Sequence, residues 1–301
     1  MRILVTGANG LLGQKLSELL DSKDELDLIA TARSPLSIKL NRGKFHLLDI
    51  TNQASVDSVV ALTQPDVIIN TAAMTQVDDC ETERDKCWLS NVTSVGYLVN
   101  ACKKNNVKLI HVSTDFIFDG THGPLKEDAK PSPVNYYGES KLAGEQVIIG
   151  SDIDWAIART VLVFGITSDL SRSNIVLWVK QSLENGKTIN VVNDQWRTPT
   201  LAEDLAMGCY LLAVNNAKGI FHISGDEMMT PFDIAIKTAE FFQLDKSLVK
   251  PTDSNTFKQT AARPLKTGFD INKAKEVLGY LPHTFTEGLA TLAGQIQRLK
   301  K

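Results

Sequence analysis

The chain has 301 residues, 43% hydrophobic and 22% charged, which excludes disordered and fibrous classes and allows one large core or two interlocked ones. Its 32 basic and 35 acidic residues are spread along the chain and leave a formal charge of -3, so no electrostatic footprint for nucleic acid or an anionic membrane is present. No apolar run approaches the roughly 20 residues of a bilayer span and the N-terminus shows no leader pattern, so a cytoplasmic protein acting on a small molecule is expected.

The first predicted element is the strand RILVT, followed by GANGLLG and the helical pattern LLGQKLSELL. Gly7, Gly10 and Gly13 recur every third residue here. Gly7 suits a tight turn leaving the strand, Gly10 a close approach of backbone to a pyrophosphate, and Gly13 close packing of the helix on the strand. The helix opens at Leu11 and Leu12, where free amides can meet phosphate oxygens. The spacing is one residue longer than GxGxxG, so this stretch alone leaves a nucleotide cradle and a glycine-softened turn both open.

The second strand, DLIATA, runs into Arg33, at the place where an acidic residue would hold the adenosine ribose of NAD. An arginine there accommodates a 2'-phosphate, which favours NADP(H) and keeps NAD(H) as the alternative cofactor. KFHLLDI, DVIINTA, a helical segment from Glu81 to Lys104 and VKLIHVST continue the alternation. Apolar strands alternating with helices predict an α/β chain, a Rossmann doubly wound parallel sheet covered on both faces.

At the end of VKLIHVST, Ser113, Thr114 and Asp115 fall where open α/β sheets bind ligands, and a hydroxyl there can orient a substrate carbonyl. NYYGESKLAGEQ then places Tyr137 and Lys141 four apart on one helix face. A nearby ammonium is expected to lower the tyrosine pKa and make the phenol a proton donor near neutrality. A surface Tyr/Lys pair fits the same spacing.

Beyond Gly165 come the helix SRSNIVLWVKQSLENG, the strand and loop VVNDQWRTPT, the helix LAEDLAMGCYLLAVN, the short strand IFHIS and a helix after MMTPFD. An irregular stretch from Ser247 to Gly268 and two terminal helices complete the chain. The expected division is a dinucleotide-binding domain over 1–165 and about 190–218, interleaved with a smaller C-terminal α/β substrate lobe over about 166–189 and 219–301. Cys80, Cys87, Cys102 and Cys209 read as free thiols, and the five histidines have no metal-ligand spacing, so no metal is expected.

In order along the chain, TGANGLLG, INTAAMTQVDDCE, STDFIFDG, YGESKLAGE, RTVLVFG, DQWRTPTLAEDLA and ARPLKTGFD resemble the extended short-chain dehydrogenase/reductases, and within them the dTDP-4-dehydrorhamnose reductase family. The resemblance implies Thr114, Tyr137 and Lys141 as catalytic triad. It implies Gly7, Gly10, Leu11, Leu12, Gly13, Arg33, Asp49, Ile50, Ala72, Ala73, Tyr137 and Lys141 around the cofactor, with Asp49 and Ile50 near the adenine. Thr75, Val77, Thr114, Asn174 and Arg263 are implied around a nucleotide-sugar substrate, although Thr75 and Asn174 suit helix caps as well. A homodimer is an assembly compatible with this family.

Two positions depart from the family. Phe116 stands where STDYVF has tyrosine, and Leu162 where RTSWVYG has tryptophan, which puts the exact sugar in doubt. The second acid of a sugar 4,6-dehydratase is missing, because Phe116 follows Asp115. Epimerases share the Tyr and Lys but hold NAD through an acidic residue, against which Arg33 argues. The resemblance also extends to the regulatory β subunit of methionine adenosyltransferase, and fold alone does not separate that reading from an enzyme.

Overall fold

The computed structural model describes residues 1–168, 173–254, 256 and 259–299. Ser171 and Arg172, read with the helix that follows them, lie outside the described residues, as do Asn255, Phe257 and Lys258 of the irregular stretch. Strands β1 (Arg2–Thr6), β2 (Asp27–Ala32), β3 (Lys44–Leu47), β4 (Val67–Asn70), β5 (Lys108–Thr114), β6 (Trp155–Thr160) and, far later, β10 (Gly219–His222) form one seven-stranded sheet. The order is β3-β2-β1-β4-β5-β6-β10 and every pair is parallel. Strand order reverses between β1 and β4, and the carboxyl ends of strands at such a point are where open α/β sheets form a ligand crevice.

Helices α1 (Leu11–Asp21), α2 (Gln53–Thr63), α5 (Ser94–Asn105), α6 (Tyr136–Ile149), α8 (Ala202–Val214) and α10 (Asn272–Leu278) cover this sheet, with α3 (Val77–Thr82) and α4 (Arg84–Trp88) lying before α5. Alternate strand residues feed opposite layers. Ile3 and Val5 meet Leu16, Leu20, Leu205 and Ala274 on one face, while Leu4, Ile29 and Leu109 meet Val56, Leu98 and Ile148 on the other. Such buried Leu, Ile and Val side chains each contribute about 1.5–3 kcal/mol, which is why the strands read as continuous apolar runs.

The smaller lobe contains α7 (Ile175–Glu184), β8 (Ile189–Val192), α9 (Pro231–Phe241), β11 (Val249–Thr252) and α11 (Phe285–Leu299). β8 and β11 pair in parallel, and Val179, Leu183, Ala235 and Ala239 pack around them. A capping box of Thr230 and Asp233, with proline at the start, begins α9. The short parallel pair β7 (Val163–Phe164) and β9 (Thr200–Leu201) carries the chain out to the lobe and back.

Three stretches fall differently from the sequence expectation. Gly219–His222, expected in the lobe, is the seventh strand of the large sheet beside β6. Ile189–Val192, placed by sequence around the domain boundary, is paired inside the lobe. Val249–Thr252, read as irregular, is a strand although VKPT shows neither apolar alternation nor a proline-free run. In each case a partner distant in sequence decides the pairing.

Candidate active site

The crevice at the reversal point starts at the glycine turn. Gly7 has φ +68°, a left-handed conformation that favours glycine, and a Cβ on it would stand 3.0 Å from the Ala72 backbone. Gly13 has no room at all: its Cβ would lie 2.2 Å from the Gly7 carbonyl oxygen. At Gly10 a Cβ would meet only that same oxygen, at 3.3 Å, and would otherwise fill the space over the start of α1. Gly10 caps α1 without a side-chain hydrogen bond, so the amides at Leu11 and Leu12 remain open to an anion. This turn therefore fits a dinucleotide pyrophosphate.

The other expected cofactor residues follow the carboxyl ends of β2, β3 and β4. Arg33 is exposed immediately after β2. Ile50 is buried after β3, and Asp49 is partly exposed with Oδ1 accepting from the Thr51 amide at 2.9 Å and hydroxyl at 2.7 Å. Ala72 and Ala73 follow β4, where the Ala72 amide donates to Thr6 Oγ1 at 3.3 Å. If Arg33 faces the 2'-phosphate, Arg33→Ala weakens NADPH by about tenfold, the scale of a lost charged hydrogen bond, and leaves NADH unchanged. Fluorescence titration with both nucleotides checks this; an equal loss for both would remove Arg33 from the assignment.

Thr114 ends β5, and Tyr137 and Lys141 occupy the first turns of α6. Asn135 caps this helix, accepting from the Gly138 amide at 2.8 Å, and its Nδ2 donates to the Ala262 carbonyl at 2.7 Å. The helix start is thus tied to the loop that carries Arg263. The Thr114 hydroxyl donates to Asp115 Oδ1 at 3.2 Å, and Phe116 meets the Tyr137 ring edge-on at 5.7 Å. Lys141 Nζ donates to the Val112 carbonyl at 2.8 Å and lies 3.1 Å from His111 Nε2.

One electrostatic expectation changes. Burial pushes the Tyr137 phenol well above its ordinary pKa, with Asp115, Cys80 and Cys87 adding to the rise, and the nearby Thr114 hydroxyl opposes it without winning. Burial also lowers Lys141 to about 8, while Glu145 and Cys87 pull the other way. In this cleft the ammonium does not bring the phenol down, because its nitrogen is turned to β5. The tyrosine is a neutral donor held dry.

Beside this pair lies a cavity of about 160 Å³ whose lining includes Phe116, Leu162, Arg197 and Arg263. The two residues that depart from the family pattern thus line one cavity. Leu162 has φ +38°, strained for a leucine, which is the kind of cost that persists at ligand sites. Arg263 is held by Asp78 at 2.8 and 3.1 Å and by the Ala261 carbonyl at 2.7 Å. That ion pair holds the Asp78 carboxyl below its usual range. Val77 begins α3 next to it, and Thr75 is exposed just before and caps no helix. Asn174 stands apart from this cavity lining, because Oδ1 accepts from the Leu177 amide to cap α7 and Nδ2 donates to the Gly165 carbonyl at 2.6 Å. A larger cavity, about 510 Å³, sits at the opposite ends of the strands among Arg2, Asp27 and Lys44.

Several positioning residues are not legible in the sequence. Asn91 lies in a π-helical turn, Leu89–Thr93, that no 3.6-residue periodicity announces. Its amide accepts from the Met74 N–H at 2.9 Å and donates to the Met74 carbonyl at 3.0 Å, fixing the loop between Ala73 and Thr75. Asn9, inside the glycine turn, accepts from the Ser37 amide at 2.9 Å and donates to the Pro35 carbonyl at 3.0 Å, fixing the loop after Arg33. Buried Asp115 accepts from Thr267 and faces Arg197 at 3.5 Å, so the lobe is joined to the strand end that carries Thr114. RTPT is the only sequence signal for Arg197. Among the described residues no cluster of metal-ligating side chains occurs, and no helix is long and apolar enough to cross a membrane.

A doubly wound sheet with a glycine turn at its reversal point and Thr, Tyr and Lys at the neighbouring strand and helix ends defines a Rossmann-fold oxidoreductase. The family model described as RmlD substrate binding domain matches residues 1–298, and the chain belongs to that family. It is 34% identical over 270 residues to a dTDP-4-keto-6-deoxy-D-glucose reductase of Streptomyces niveus, covering 88% of this chain and 87% of the relative. It is 31% identical over 284 residues to methionine adenosyltransferase 2 subunit beta of Pongo abelii, covering 92% and 82%. A dTDP-4-dehydrorhamnose reductase of Bacillus anthracis, solved in complex with NADP, superposes with a TM-score of 0.87 at 31% identity over 98% of this chain and 99% of that one.

Proposed function

We propose that the protein reduces the 4-keto group of a nucleotide-activated deoxysugar with NADPH, converting dTDP-4-dehydro-6-deoxy-L-mannose to dTDP-L-rhamnose. The observation that supports this reading is the placing of Thr114 at the end of β5 and of Tyr137 and Lys141 in the first turns of α6, with Phe116 joining the Tyr137 ring to a cavity that Arg263 also lines. Gly7, Gly10, Leu11, Leu12, Gly13, Arg33, Asp49, Ile50, Ala72, Ala73 and Lys141 would hold the dinucleotide, which supplies hydride for the carbonyl carbon. Tyr137 Oη would give its proton to the carbonyl oxygen, and the Thr114 hydroxyl would orient that oxygen. Arg263, braced by Asp78, would meet the pyrophosphate of the nucleotide sugar, with Thr75 and Val77 nearby.

Likeness to methionine adenosyltransferase 2 subunit beta supports a second reading, a regulatory subunit that holds the cofactor without turnover. A spectrophotometric assay of NADPH oxidation against a panel of dTDP-4-keto sugars separates the two, with the product identified by NMR. Oxidation with formation of the 4-hydroxy sugar is expected; tight NADPH binding without oxidation of any sugar would install the regulatory reading, and an epimerised product without net oxidation would install an epimerase.

The pH dependence follows from the same two groups. Tyr137 is raised and stays protonated, whereas Lys141, lowered to about 8, carries its ammonium only below that value. The assay should therefore show kcat/KM falling as pH rises through about 8. A profile flat to pH values far above this would detach Lys141 charge from turnover.

A further inference from the structure

Thr6, Asn70, His111 and Lys141 form one buried hydrogen-bond chain that crosses β1, β4 and β5 before reaching α6, and none is more than 2% exposed. With no water to reach them, every donor and acceptor among them must be satisfied inside the chain. The Ala72 amide donates to Thr6 Oγ1 at 3.3 Å, and the Thr6 hydroxyl donates to Asn70 Oδ1 at 2.5 Å. Asn70 Nδ2 lies 3.0 Å from His111 Nδ1, and His111 Nε2 lies 3.1 Å from Lys141 Nζ.

The direction of this chain is set by the Asn70 amide, whose oxygen faces the Thr6 hydroxyl and whose NH2 faces His111. Thr6 Oγ1 accepts from the Ala72 amide and donates to the Asn70 carbonyl, and an NH2 group can only donate to His111. His111 Nδ1 then accepts. Burial holds the His111 pKa well below the ordinary value, so the ring is neutral and, with Nδ1 accepting, carries its one proton on Nε2, aimed at Nζ. A free amine accepts that proton; an ammonium would face it donor to donor.

We propose that Thr6, Asn70 and His111 are positioning residues that hold down the proton affinity of Lys141, so that the lysine charge is set from the floor of the cofactor crevice and not by burial alone. Protonating Nζ requires the imidazole to present a lone pair, which requires its proton on Nδ1 and the Asn70 amide turned over. The Thr6 hydroxyl is then left without an acceptor. That cost is the coupling.

The other groups around Nζ act in the opposite sense or are neutral. Glu145 faces it from α6, Cys87 from α4 with Cys80 of α3 and Tyr137 packed against that cysteine, and the Val112 carbonyl from β5. Glu145 and Cys87 favour the ammonium, and Glu145 is itself paired with Arg159 at 2.7 Å. None of them touches Thr6, so a change there reaches Lys141 only through the chain.

The test is a pH titration of the Lys141 Cε resonance in ¹³C-labelled, cofactor-free protein, assigned with Lys141→Met. It rests on the reading of Lys141 as a site residue only for its consequence in turnover, because the titration needs neither substrate nor activity. Thr6→Val keeps the side-chain shape, removes the hydroxyl and frees the Asn70 amide to turn, so the midpoint should rise by about one pH unit, the scale of one buried unsatisfied group. His111→Leu removes an N–H that only the amine accepts, and the midpoint should rise there too. An unchanged or lower midpoint in Thr6→Val overturns the proposal, as does a fall in His111→Leu, which would show the imidazole accepting from an ammonium. If His111→Leu does not fold, Thr6→Val decides alone.

Discussion

Turnover should fall by about 10²–10⁴-fold in Tyr137→Phe, the usual contribution of a positioned general acid. NADPH affinity should stay within about twofold, because the contacts expected to carry binding lie at the glycine turn and at Arg33, on other elements. The ring itself is retained, and with it the edge-on packing against Phe116 at 5.7 Å, so the fold around α6 has no reason to change. Stopped assays for turnover and fluorescence titration for binding measure the two quantities separately. Wild-type turnover would take Tyr137 out of the reaction, and a matching collapse of cofactor affinity would make its role one of binding.

Gly138→Ala is expected to cost nearly as much without touching a reactive atom. A Cβ at Gly138 would lie 2.1 Å from the Phe116 carbonyl oxygen and 3.0 Å from Pro133 Cβ. The first obstacle is backbone, so α6 must withdraw from the turn that follows Thr114. Tyr137, one residue earlier, would move with it. A misplacement of about 1 Å at a reacting group can cost about 100-fold in rate, and overpacking of this kind destabilises by about 1–3 kcal/mol. Gly96→Ala is the control, since nothing lies within 4 Å of its Cβ and alanine is the better helix former inside α5. Thermal unfolding and kcat measured on both variants should separate them; equal behaviour would show that α6 absorbs the methyl without moving Tyr137.

Much of the large sheet is legible in the order of amino acids, because its signals are local. β1, β2, β4 and β5 are short apolar runs bounded by turns, and burial on both faces leaves no polar alternation to confuse them. Tyr137 and Lys141 are legible for the same reason, since four residues on a helix return to one face. The lobe is less so. β8 and β11 are four residues each and exist because they find one another across some sixty positions, a pairing with no trace in either segment.

Capping chemistry is ambiguous in sequence, because the same residue types suit a cap and a binding loop. Asn174 and Thr75 look alike as capping residues, yet only Asn174 caps, and Thr75 is left exposed at the edge of the crevice. Phe116 and Leu162, separated by 45 intervening positions, line one cavity.

From the order of amino acids alone came the α/β class, the glycine turn and the shared helix face of Tyr137 and Lys141, because each depends on contacts within a turn or a few residues, whereas Thr114 was joined to them by family resemblance. The folded chain decided what those groups are electrically. Burial raises Tyr137 and lowers Lys141, and the lysine nitrogen turns away to His111 and Val112. Desolvation and buried hydrogen-bond direction depend on every element packed around a group, and those elements come together only in three dimensions.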